Sequence, residues 1–155
     1  MYLSMHQNED GGWTIPEGAE GISGARLTGF AHGVAGMVCF LCEYSCRSNN
    51  PEAMRAARRG AEWLLRHSRA SPEGKVLHWT TRDGGKDVWH WWCHGAPSIA
   101  LAWLKLFEQS GETADRTRPS TLLLSGCCYI LLPCSLFWRV RYSSYFGLVW
   151  WATEW

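Results

Sequence analysis

Net charge is almost absent from this 155-residue sequence, in which 15 Lys and Arg stand against 14 Asp and Glu. Without a field of one sign, neither nucleic acid nor an anionic membrane surface is called for as a partner. Residues 1–10 lack the basic-then-apolar pattern of a secretory signal. An even set of cysteines is missing too: there are seven, which argues against a disulfide scaffold. A reducing, cytoplasmic setting is therefore expected, where free thiols serve mostly as small apolar core residues. Low hydrophobicity, the mark of a disordered chain, is also absent, because 46% of the residues are hydrophobic. In abundance are tryptophans, eleven in all, with Trp89, Trp91, Trp92, Trp138, Trp150, Trp151 and Trp155 crowding the C-terminal half.

Residues 11–29 are rich in glycine and show no sustained apolar period, so they read as a loop leading into structure. Residues 34–44 are small and apolar (Val34, Ala35, Met37, Val38, Phe40, Leu41) and predict a helix buried on most of its surface. A second helix start is signalled by Asn50 as N-cap, Pro51 at the first helical position and Glu52 in the first turn. Met54, Ala57, Ala61, Leu64 and Leu65 form its apolar stripe, opposed by Arg55, Arg58, Arg59, Glu62, Arg66 and Arg69. An inner helix followed by an amphipathic one is a helical hairpin with an inside and an outside. Residues 68–87 read as irregular, with a short ribbon at residues 75–80. Helix returns at Pro97 with Ile99, Ala100, Leu101, Trp103, Leu104, Leu106 and Phe107, and Gly111 is its predicted stop.

Both inner helices open alike. Gly29-Phe30-Ala31-His32-Gly33-Val34-Ala35-Gly36 and Trp92-Cys93-His94-Gly95-Ala96-Pro97-Ser98 share a His-Gly step before an apolar run, which marks an internal repeat of one supersecondary unit. Glycine after the histidine leaves the imidazole near a helix N-terminus, where free N–H groups and the helix dipole favour an anion. Cys93 occupies that position in the second repeat, so its thiolate is favoured there as a metal ligand or nucleophile. The competing expectation for Cys93 is a small apolar residue packed between tryptophans, and for His32 a loop histidine bonded to backbone. Cys39, Cys42 and Cys46 share a helix stripe and cannot easily wrap a tetrahedral ion, while Cys127, Cys128 and Cys134 lie in an apolar tail.

These two motifs, the first preceded by Gly24-Ala25-Arg26-Leu27-Thr28, resemble the signature repeats of the lanthionine synthetase C-like (LanC-like) family, with similarity over residues 11–111. The resemblance implies an all-α fold, an α/α toroid of repeated helical hairpins, and a zinc site at the inner-helix ends. It also implies a peptide substrate: a peptide cysteine adds as thiolate to a dehydrated Ser or Thr in a Michael-type reaction that makes a thioether. Carried over by residue, Cys93 matches the first zinc-ligand cysteine and His32 the histidine that manages the proton at the enolate carbon. His94 would line the same site as a further catalytic candidate, although it does not match the zinc-binding histidine of the family.

Departures shape the remaining expectations. After Gly111 no second Cys-His pair completes the zinc, and the arginine that the cyclases place a turn before the first ligand is Trp89 here. With so few hairpins the ring cannot close, which predicts a partial toroid, an incomplete ring and a truncated member. The chain accordingly divides into an approach segment (residues 1–28), helical repeats (29–111) and an atypical tail (112–155). An upstream domain in the parental gene is compatible with this division. Residues 121–138 are uncharged and barely long enough for a membrane span, with Gly126 and Pro133 interrupting them. Three functions follow: a zinc-dependent thioether cyclase or its fragment, a non-catalytic thiol or glutathione binder, and a membrane-attached helical protein.

Overall fold

The computed structural model describes residues 2–70, 72, 77–89, 91 and 93–110. One turn, α1 (Tyr2–Met5), is followed by α2 (Val34–Ser48), α3 (Pro51–Arg66), the strands β1 (Arg69–Ala70) and β2 (Leu77–His78), and α4 (Ala96–Ser110). Among the described residues the fold is all-α apart from that two-stranded ladder, and its core lies where α2 packs against α3 on one side and α4 on the other.

α2 runs four residues beyond the apolar stretch that predicted it. It stops at Asn49, which adopts the left-handed conformation (φ 50°) and returns its N–H to the Ser45 carbonyl. The next residue starts the second helix as anticipated. The Asn50 side chain accepts a hydrogen bond from the Ala53 amide at 3.2 Å, and Pro51 occupies the first turn. Two residues thus reverse the chain into an antiparallel hairpin. The buried side of α3 is made of Ala53, Ala56, Ala57, Gly60, Ala61, Trp63 and Leu64, while Arg55, Arg59, Glu62 and Arg66 are exposed. The stripe is thus wider than the sequence alone indicated. Arg69 belongs to β1, beyond the helix end.

Small residues on α3 leave space that a loop residue fills. A Cβ at Gly60 would stand 2.8 Å from both the Trp13 ring and the Val38 side chain. Trp13 is only 3% exposed and donates its indole N–H to the Leu3 carbonyl at 2.8 Å. The glycine-rich stretch read as a loop is indeed irregular, yet it supplies a core side chain. Periodicity carries no trace of a residue buried from a loop.

The same stretch is fastened by charge. Asp10 accepts from the Arg26 guanidinium, from the Gly12 amide at 3.1 Å and from the Trp63 indole at 3.2 Å. Burial works against its ionised form, but these donors prevail and hold the carboxyl below the usual range. Arg26 also lies over the Trp63 ring, 5.0 Å from its centroid, and reaches Asp83 at 3.3 Å.

Among the described residues of the expected ribbon at 75–80, Leu77 and His78 pair antiparallel to β1. Lys75 and Val76 fall outside the described residues. Trp79 and Thr80 lie outside the ladder and find partners elsewhere. The Trp79 indole donates to the Leu64 carbonyl at 2.6 Å, and the Thr80 carbonyl accepts from the Thr28 hydroxyl at 2.8 Å. Arg82 then bridges to Leu27, so this segment closes against the residues that precede α2.

α4 buries Ala96, Ser98, Ile99, Ala100, Ala102, Trp103 and Leu106, whereas Leu101 is 44% exposed. It runs parallel to α2: both start at a His-Gly step, and their tenth residues, Glu43 and Lys105, form an ion pair at 2.6 Å. Arg47 pairs with Glu43 as well, and the two donors, Lys105 first and then Arg47, hold the Glu43 carboxyl below its ordinary range. Among the described residues no helix is long and apolar enough to cross a membrane. The stop at Gly111, the apolar run at residues 121–138 and Cys127, Cys128 and Cys134 lie outside the described residues.

Candidate functional site

Parallel packing of α2 and α4 brings the two motif turns to one end of the molecule, and the turns are joined backbone to backbone. The Cys93 carbonyl accepts two N–H groups from the first motif, Phe30 at 2.9 Å and Ala31 at 3.1 Å. Such an approach tolerates no side chain at Gly29, where a Cβ would stand 2.7 Å from the His94 Cα and 2.8 Å from the Cys93 oxygen. The glycine that opens the first motif is therefore a contact residue for the second.

This docking sets the positions of the candidate residues. His32 is exposed and His94 half-buried, with ring centroids 6.2 Å apart and planes inclined by 33°. Cys93 is half-buried beside them and forms no disulfide. Two exposed indoles border His94: Trp89 meets it edge to face at 5.3 Å, and Trp91 lies 6.4 Å away. Trp89 and Trp91 are themselves 5.1 Å apart. Cys93 is thus neither lost in the core nor fully in water.

Helix α2 departs from expectation at its first turn. Its N-terminus was expected to offer free N–H groups to an anion, but the Val34 amide donates to the Leu27 carbonyl at 2.9 Å and the Ala35 amide to the Thr28 carbonyl at 3.1 Å. Residues 27 and 28, anchored by the Arg82 bridge and the Thr80 hydrogen bond, thus occupy donors that an anion would need.

The other cysteines separate by environment. Cys42 is buried in the core and Cys46 exposed on α2. Burial, reinforced by neighbouring Cys42, pushes the Cys39 thiol up to about 12.

A catalytic zinc needs about three protein ligands and an open position. Among the described residues no group of three or more His, Cys, Asp or Glu is arranged to hold a metal. Cys93 with its described neighbours does not fit that requirement.

Parallel inner helices that begin in paired His-Gly turns, with an amphipathic helix packed outside, form a partial all-α arrangement of repeated helical hairpins. A model of the lanthionine synthetase C-like protein family matches residues 3–118, and the chain belongs to that family. Its fold is similar to that of nisin cyclase, with a TM-score of 0.55 at 16% sequence identity. That match covers 79% of this chain and 36% of nisin cyclase, so the chain spans well under half of that protein's length. The match from residue 3 onward includes residues 3–10, which carry Asp10 and precede the similarity read from the motifs. The contacts of Trp13, Asp10 and Trp89 with their partners carried no periodic or motif signal that sequence reasoning could use.

Proposed function

We propose that this chain carries the thiol-handling mouth of a thioether cyclase, acting on a peptide in which a Ser or Thr has been dehydrated. A peptide cysteine, having lost its proton to solvent or a base, adds its sulfur to the β-carbon of the dehydroamino acid. The C–S bond forms as the electron pair of the C=C bond moves to the α-carbon and its carbonyl, and a proton taken up at the α-carbon completes the thioether. His32 is assigned that proton transfer, a role that requires an imidazole within reach of the reacting carbon. His94 lines the same mouth. Cys93 stands where the family places its first zinc-ligand cysteine.

One observation supports this reading above the others: the two His-Gly turns are hydrogen-bonded together through the Cys93 carbonyl, which holds the two imidazoles 6.2 Å apart on one accessible surface.

Because addition leaves the peptide mass unchanged, the test is a count of free thiol. A dehydrated peptide with a single cysteine is incubated with the full chain and zinc, then treated with an alkylating reagent. Loss of the alkylated product with the parent mass retained is expected, with His32→Ala slower by about 10²- to 10⁴-fold. Undiminished thiol in the parent reaction overturns the cyclase reading. Should glutathione also bind saturably, the non-catalytic thiol binder takes its place. Metal analysis of the parent and Cys93→Ala proteins measures separately whether that thiol retains zinc.

A further inference from the structure

His32 stands at one end of an apolar groove. A cavity of about 620 Å³ is walled by Leu3, Ile15 and Ile22 from the N-terminal segment and by Phe30, Met37 and Phe40 from the α2 side, and both His32 and Glu43 border it. From Val34 to Glu43 the helix rises about 14 Å, the length of roughly four extended residues. The Glu43 carboxylate is already engaged, because Lys105 and Arg47 both pair with it. Phe40 is nevertheless 53% exposed, so apolar surface is left in water beside the candidate catalytic histidine.

We propose, resting on the cyclase reading, that this groove receives an uncharged stretch of about four peptide residues and selects substrates with aliphatic or aromatic side chains next to the reacting position. Two observations favour that occupant. Its walls are mainly aliphatic and aromatic side chains, and its one carboxylate, Glu43, is already paired with Lys105 and Arg47, so a charged segment buried against those walls would gain little to offset its desolvation. Its volume falls in the range of small-ligand sites, which are largely apolar with a few polar groups that fix orientation.

The test uses the full chain and two fluorescent peptides, each with one cysteine and an unmodified serine, flanked by leucines in one and by aspartates in the other. Binding is read by anisotropy, independently of any chemistry. Tighter binding of the leucine peptide by about tenfold or more is expected, since one buried aliphatic side chain supplies that much. Phe40→Asp on the helical wall and Ile22→Asp on the loop wall should each erase the preference while keeping the parent circular dichroism spectrum. Equal binding of the two peptides by the parent overturns the groove, as does a preference that survives in both folded variants. A parent dimer that Phe40→Asp dissociates also overturns it, assigning the surface to a second copy. Thioether formation is scored in the separate thiol assay, so a chain that keeps the leucine preference but forms no thioether refutes the cyclase reading and leaves the groove standing.

Discussion

Replacing Gly29 by alanine tests the docking of the two motifs most directly. The added Cβ would lie 2.7 Å from the His94 Cα and 2.8 Å from the Cys93 oxygen, both backbone atoms that no rotamer change can move. Carbon atoms in contact prefer 3.5–4.0 Å, so the two turns must part by about 1 Å. That displacement carries the Phe30 and Ala31 amides, now at 2.9 and 3.1 Å, beyond good hydrogen-bonding distance of the Cys93 carbonyl. Overpacking costs roughly 1–3 kcal/mol and each lost bond about 0.5–1.5 kcal/mol, which together give about 2–6 kcal/mol. A domain with a total stability of about 5–15 kcal/mol would register that clearly. Urea denaturation measures the loss, and amide exchange locates it. Phe30 and Ala31 should lose protection far more than Val34 and Ala35, whose amides bond to Leu27 and Thr28 just before the first motif. A change below about 0.5 kcal/mol with Phe30 and Ala31 still protected would refute the reasoning.

Three further outcomes are expected. Asn50→Ala removes the acceptor that caps α3 and should lower stability by about 0.5–2 kcal/mol, seen as a shifted urea midpoint at unchanged slope; an unshifted midpoint would deny the cap its role. The Glu43 carboxyl is held below its ordinary value by Lys105 and Arg47, so its contribution is full above the unfolded carboxylate range and is lost as pH falls through the lower folded value. Stability should therefore decline between about pH 5 and pH 3, less steeply in Glu43→Gln, and identical profiles would contradict the assignment. Alkylation resolved by mass spectrometry at pH 7.5 should modify exposed Cys46 well before Cys39, whose thiol burial pushes up to about 12. Equal rates would show that α2 does not shelter Cys39.

Much of the local structure was legible in residue types. Asn50, Pro51 and Glu52 mark the start of α3 because a cap, a fixed φ and a first-turn carboxylate each satisfy a local need of a helix end. The recurring His-Gly steps likewise located the starts of α2 and α4 and exposed the repeat. What escaped was whatever depends on distant partners. Trp13 sits in a glycine-rich loop yet fills the gap above Gly60. Trp79 leaves a strand for the Leu64 carbonyl. The first amides of α2, expected to be open to an anion, are taken by Leu27 and Thr28.

Sequence alone thus determined the helices, their inner and outer order and the residues gathered at the two motifs, since caps, periodicity and repeats act over a few positions of the chain. Only tertiary structure decided that His32 and His94 face one another and that Gly29 is the point of contact. That pairing arises from two parallel helices packing in register, with Glu43 opposite Lys105. Contacts across sixty residues are chosen by packing and backbone hydrogen bonds, and these leave no period in the sequence.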